Sequence, residues 1–305
     1  MFTLGFIWYA TGGPSRPEAW QGPFIEPPVP IGTGEIYRAG QSGSPRALPS
    51  SPSRSTNGSA QPLVARSKWY GQVSINSGSG PYEIQPNQEY IVLEANYDNI
   101  APITVTGWSV TNGKNQPDGV VIPRGIHLFI GNSVNPVTVP ITLIPGARLI
   151  LTTGRMPNSD PYTINVNFLT NKCTGYLGAL PQYRFTPALR RSCPNPAKDP
   201  EVRNLDKKCY DFVSRLPACH TPKIKRDSDG NEFIDGVLGL SSQCRAFLEN
   251  HFNYNRCVGW HEGDPDFYGD EWRVFLNRSW ELWAENREHI TLYDQFGKIV
   301  TERDY

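Results

Sequence analysis

The residues able to do chemistry crowd into the second half of this 305-residue chain. All six cysteines, Cys173, Cys193, Cys209, Cys219, Cys244 and Cys257, lie there, and no two form a C-x-x-C pair, so the common zinc-finger and thioredoxin spacings are absent. An even number of cysteines confined to one region reads as three disulfides, which implies an oxidising, extracytoplasmic compartment. Buried free thiols in a cytosolic protein are the alternative, since unpaired cysteine packs as a small apolar residue. Spacing does not choose among the possible pairings.

Two acidic stretches offer metal chemistry. In DSDGNEFID, Asp227, Asp229, Asn231 and Asp235 present hard oxygen ligands at alternating positions, as a calcium loop does. Glu232 stands where an EF-hand needs glycine and Leu238 where it needs a bidentate glutamate, and the same composition suits a polar turn between two helices. In HEGDPD, His261, Glu262, Asp264 and Asp266 follow soon after His251. A metal-dependent hydrolase would need such ligands to converge in a pocket with one coordination position open. No H-E-x-x-H is present and the carboxylates fall in a loop, which reads as a solvated acidic turn.

Other reactive constellations are weaker. Cys219 beside His220 would act as nucleophile and base only if the two side chains faced each other and the thiol were free. The chain has no G-x-S-x-G, P-loop or G-x-G-x-x-G. Trp260, Trp272, Trp280 and Trp283 cluster with Phe267 and Tyr268 near the end. Exposed, they would form a sugar- or peptide-binding face; buried, they would join the cysteine region to the rest of the fold.

The elements that must position these residues are mostly strands. With 28 Gly, 28 Pro and only 2 Met, the composition favours β-structure and turns over long helices. Strands are predicted over 70–78, 89–97, 103–112, 125–131, 138–144, 147–154 and 164–168, with turns at SGSGP, NIAP, TNGK and PGA between them. Short strands at this spacing indicate an antiparallel sandwich or barrel. Within ITVTGWSVTN the apolar phase changes after Gly107, which predicts a β-bulge that turns Trp108 into the core.

After Cys173 the pattern turns helical. Asp199 caps a predicted helix with Pro200 at its first position, and Val202, Leu205, Cys209, Phe212 and Leu216 fall on one face. A second helix is predicted from Ser241, with Cys244, Phe247 and Leu248 inward. The end returns to β: EWRVFLN alternates, SWELWAENRE suits a short helical turn, and residues 289–305 read as a hairpin turning at DQFG. The strands therefore bracket the cysteine region, as one sheet structure interrupted by a helical insertion.

The first residues, MFTLGFIWYA, are apolar but too few to span a bilayer and carry no basic start, so residues 1–11 read as the outer end of a membrane helix whose first half is missing. Residues 12–67, rich in Pro, Gly and Ser, read as an extended linker. Twenty-nine basic residues balance 29 acidic ones, which leaves no overall field for collecting nucleic acid.

Three stretches, ITVTGWSVTN, ITLIPGARLILTTG and the closing HITLYDQFGKIVTERDY, resemble the lamin tail domain, and FLTNKCTGYL, FTPALRRSCPNP, HFNYNRCVGWH and WRVFLNRSWELWA are similar to bacterial, membrane-anchored members of that family with a cysteine-containing insert. The resemblance implies a mainly β, immunoglobulin-like antiparallel β-sandwich with a disulfide-stapled helical insertion. Its parts would be the sandwich at 68–170, the insertion at 171–268 and closing strands at 269–305. It also implies a non-enzymatic binding, adhesion or structural module at the cell surface, contacting protein or glycan and needing no cofactor. A hydrolase with its site in the insertion and a nucleic-acid-binding module are the alternatives.

Overall fold

The computed structural model describes residues 65–80, 82–112, 119–129, 136–155, 164, 166–283 and 288–305. The expected anchor at 1–11, and all of the expected linker before residue 65, lie outside them. The described part begins slightly before residue 68: Ser67 is buried, its N–H donates to the Ile299 carbonyl, and its hydroxyl donates to Asp294 Oδ2 at 2.7 Å.

Before the cysteine region the described chain forms β1 (Val73–Asn76), β2 (Tyr90–Ala95), β3 (Ile103–Thr104), β4 (Ser109–Thr111), β5 (Val120–Val121), β6 (Thr142–Leu143), β7 (Arg148–Thr152) and β8 (Phe168–Asn171). The cysteine region adds helix α1 (Gly175–Ala179), α2 (Lys207–Val213), the short strands β9 (Ile224–Arg226), β10 (Glu232–Ile234) and β11 (Val237–Leu238), then α3 (Ser242–His251) and α4 (Tyr254–His261). The end supplies β12 (Tyr268–Phe275), β13 (His289–Tyr293) and β14 (Ile299–Asp304). The protein is mainly β, with several antiparallel sheets and three disulfides.

Alternation sets the first two strands. Every second residue of β1 and β2 is buried, whereas β7 is buried at four consecutive positions, as a strand covered on both faces is. One sheet runs β1-β2-β7-β12-β8 and another β14-β13-β4-β5; β3 and β6 pair separately. The β7–β12 pair is parallel, a departure from the purely antiparallel expectation. It is possible because the whole cysteine region serves as the long crossover that parallel pairing requires. Apolar side chains from these sheets, including Ile91, Leu149, Trp108, Val110, Val274 and Leu292, meet in one core.

The phase change at Gly107 has a different cause from a bulge. The chain breaks there into β3 and β4, which belong to different sheets. Gly107 takes φ +85°, Trp108 N–H closes a turn onto the Val105 carbonyl, and both Val105 and Trp108 are buried. A side chain at φ near +85° costs about 1–2 kcal/mol, which is why glycine stands at the corner.

Other elements differ from expectation. Of the strand expected at 125–131, the described residues 125–129 make only isolated bridges, from Gly125 to Val139 and from Ile126 to Phe168. The helix expected from Asp199 is two pieces, a 3-10 turn at Pro200–Asn204 and helix α2. Asp206 divides them: its Oδ1 caps the Cys209 N–H at 3.0 Å and its Oδ2 accepts from the Ser241 hydroxyl at 2.6 Å, so Leu205 and Asp206 are extended. Val202, Cys209 and Phe212 still enter one small core, with Leu205 and Leu216 packed on it. Residues 279–283 form bends and no helical turn. The DSDGN stretch turns between β9 and β10, so it joins strands and not helices.

Candidate functional site

Helix α3 begins at Ser241, whose side chain caps the Cys244 N–H, and buries Cys244, Phe247, Leu248 and His251 on one stripe. Two residues separate helix α4 from the end of α3, and one of them, Asn253, accepts from the Arg256 N–H as its cap. This corner folds the Trp260 ring back onto His251. The centroids stand 5.3 Å apart and the planes differ by 15°; on the other face of the imidazole, Phe247 stacks at 4.1 Å. Three rings thus form one pile whose outer member, Trp260, is 56% exposed.

The imidazole is oriented by its own helix. His251 Nδ1 lies 2.9 Å from the Phe247 carbonyl, which can only accept, so the proton sits on Nδ1 and Nε2 points outward from the helix. Nε2 has no hydrogen-bond partner although His251 is only 6% exposed. What faces it is the segment leading into the 3-10 turn: Asp199 Oδ2 at 3.6 Å and Glu201 Oε2 at 3.7 Å. Asp199 is held there because its Oδ1 caps the Glu201 N–H at 2.8 Å.

These groups line a cleft of about 530 Å³ whose wall includes Asn195, Lys198, Asp199, His251, Trp260 and His261. A second cleft of about 450 Å³ lies against Glu201, His251 and Trp260, so both clefts share His251 and Trp260. Disulfides surround the site. Cys193–Cys219 and Cys173–Cys257 each contribute a cysteine to the wall of the larger cleft, and Cys209–Cys244 joins α2 to α3. All six cysteines are paired and buried. Three disulfides of this kind indicate an oxidising, extracytoplasmic environment. The pairing also removes the Cys219 thiolate, and His220 instead contacts Asp235 Oδ2 at 2.6 Å.

The other residues singled out by sequence fall into separate places. His251 and His261 share the larger cleft, but Asp264 does not line it. Asp264 Oδ2 accepts from Lys172 Nζ at 2.9 Å and contacts His261 Nδ1 at 2.9 Å, while Asp266 takes the same ammonium at 2.6 Å. Lys172 holds both carboxyls below the usual carboxylate range, His261 adding to the effect at Asp264, and the two carboxylates in turn raise the lysine.

Two of the four expected calcium ligands, Asp227 and Asp235, are engaged by protein donors. Both oxygens of Asp227 are spent on its own turn, accepting from the Asp229 and Asn231 N–H groups and from the Asn231 amide, which holds the carboxyl low. Asp235 is taken by His220 and the Lys223 N–H. Among the described residues the group of three such ligands that does gather is Asp199, Glu201 and His251.

The tryptophans divide as well. Trp272 and Trp283 are fully buried in the main core, which takes them off the candidate binding face and follows the buried alternative of the sequence reading; Trp260 and Trp280 are exposed. Sequence reasoning saw Asp199 only as a helix cap and passed over Glu201. A usable signal was present, two carboxylates flanking Pro200 at a helix start, but their partner lies fifty residues further on.

No family model, curated protein or solved structure matches the chain. No helix among the described residues is long and apolar enough to cross a membrane.

Proposed function

We propose that this protein is a non-enzymatic, extracytoplasmic binding module that offers the Trp260 cleft to a glycan at the cell surface. The observation that carries the reading is the Phe247–His251–Trp260 pile: one face of the outer indole is fixed against His251 while the ring remains 56% exposed at the lip of a cleft whose largely apolar wall carries a few polar side chains. A rigid aromatic anchor beside a few convergent polar groups is the usual composition of a small-ligand site. The surrounding disulfides limit the ordering entropy lost on binding.

The fold reading that accompanies this is a lamin-tail-like, immunoglobulin-like sandwich carrying a disulfide-stapled helical insertion, tethered through residues 1–11 and the Pro/Gly/Ser-rich stretch. It is supported by the single core shared by the β-sheets, by the return of the chain to β7 and β8 through β12, and by the closing β13–β14 hairpin. Such a tether extends the reach of the binding head.

Binding of the disulfide-intact protein to a panel of immobilised cell-surface glycans is expected to weaken at least about tenfold in Trp260→Ala and to be unchanged in Trp280→Ala. Equal binding by the wild type and Trp260→Ala removes the reading. The second reading, a metal-dependent hydrolase, draws support from His251 and His261 lining one cleft; Asp264, engaged by Lys172, tells against it.

A further inference from the structure

We propose that Asp199, Glu201 and His251 form a binding site for a divalent transition-metal ion of the zinc class. The inference goes beyond the glycan-binding reading and does not depend on it, since an ion here could brace the cleft whatever enters it.

The argument starts from His251 Nε2. A buried nitrogen without a partner costs about 1–3 kcal/mol and calls for an explanation. A plain ion pair with the two carboxylates is a poor one, because 3.6 and 3.7 Å exceed hydrogen-bond reach. The same separations suit shared ligation. Ligand atoms about 2.0–2.2 Å from a tetrahedral zinc stand roughly 3.4 Å from one another, so the two separations from His251 Nε2 need to close by only a few tenths of an ångström. All three ligand atoms lie within 4.8 Å of each other.

The surroundings are those of a metal-ligating histidine. Nδ1–H is committed to the Phe247 carbonyl, which fixes the tautomer and leaves the Nε2 lone pair outward, and the ring is locked between Phe247 and Trp260. Asp199 is positioned by its cap to the Glu201 N–H, with its second oxygen toward Nε2. One imidazole with two carboxylates selects a borderline ion such as zinc over calcium, which prefers an all-oxygen shell. Asp199 and His251 line the larger cleft and Glu201 and His251 the smaller, so further coordination positions face solvent.

The test uses tag-free, disulfide-intact full-length protein, zinc titrated by calorimetry, and metal content measured after dialysis. Because a variant at buried His251 could fail to fold, the ligands changed are the two carboxylates, as Asp199→Asn with Glu201→Gln; the asparagine retains an oxygen for the cap. A control variant, His289→Gln, removes the exposed histidine that sits between Asp304 and Glu302. The expected result is one zinc per chain and a higher melting temperature with zinc in the wild type and the control, with affinity at least about a hundredfold weaker in the double variant. No zinc uptake by the wild type, or equal affinity in the double variant, overturns the proposal and leaves His251 a buried imidazole beside two carboxylates.

Discussion

Gly175 lies directly beneath the Cys193–Cys219 disulfide: a β-carbon at this position would stand 2.4 Å from Cys219 Sγ and 2.8 Å from Cys193 Sγ. The opening of helix α1 is therefore shaped to the bridge that borders the cleft. Gly175→Ala cannot be accommodated by rotating a flexible side chain, because the obstacles are a covalent crosslink and the Arg190 carbonyl. We expect a loss of about 1–3 kcal/mol in denaturant unfolding, as for other overpacked sites. Wild-type stability in Gly175→Ala would show that the bridge does not sit where described.

Arg273 is a charge inside the protein. It is 2% exposed, donates through Nε to Glu271 Oε1 at 2.8 Å and through Nη1 to the Pro187 carbonyl at 2.6 Å, and Arg148 holds the other oxygen of Glu271 at 2.9 Å. Burial pushes the guanidinium below its ordinary range, with Glu271 opposing the shift. Arg273→Met leaves Glu271 Oε1 and the Pro187 carbonyl without their donor while Arg148 keeps Oε2, and should cost about 2–4 kcal/mol in equilibrium unfolding. A cost under about 1 kcal/mol would mean that the pair is hydrated and not internal.

The closing hairpin carries a pH-dependent tie. His289 Nδ1 contacts Asp304 Oδ1 at 2.5 Å and Nε2 contacts Glu302 Oε1 at 3.2 Å, and Asp304 first, then Glu302, raise the imidazole above the usual histidine range. Since the folded value is the higher one, the contribution is complete below the unfolded histidine value and disappears as pH rises through the folded value. The groups are partly exposed, so the effect is small. Comparing wild type with His289→Gln at about pH 6 and about pH 9 should show the wild type ahead only at the lower pH. An equal difference at both values would contradict the assignment.

Much of this was legible where short-range chemistry decides. Ser241 capping α3, the DQFG turn and the inward stripe of Cys244, Phe247 and Leu248 are local patterns, and the structure carries them. The helix from Asp199 was misread as continuous because Asp206 finds a distant partner in Ser241, and no helical period reveals that. Helix α4 was missed because YNRCVGWH lacks a clean apolar stripe and depends on the Asn253 cap and on Cys257 being crosslinked. The candidate site lay furthest from view. His251 was noticed for its neighbours in HEGDPD, yet its partners come from the Asp199–Glu201 segment and from the ring of Trp260.

The central claim is that an oxidised framework builds and holds the cleft, so the most direct measurement is a thiol and disulfide map of the protein taken from its native cells. Loops closed by bridges with separations of 84, 26 and 35 residues constrain the unfolded chain by about 3–5 kcal/mol each. Alkylation before and after reduction, followed by non-reducing peptide mass spectrometry, should find no free thiol and the linkages Cys173–Cys257, Cys193–Cys219 and Cys209–Cys244. Free cysteines, or a different set of linkages, would contradict both the extracytoplasmic assignment and the cleft built upon it.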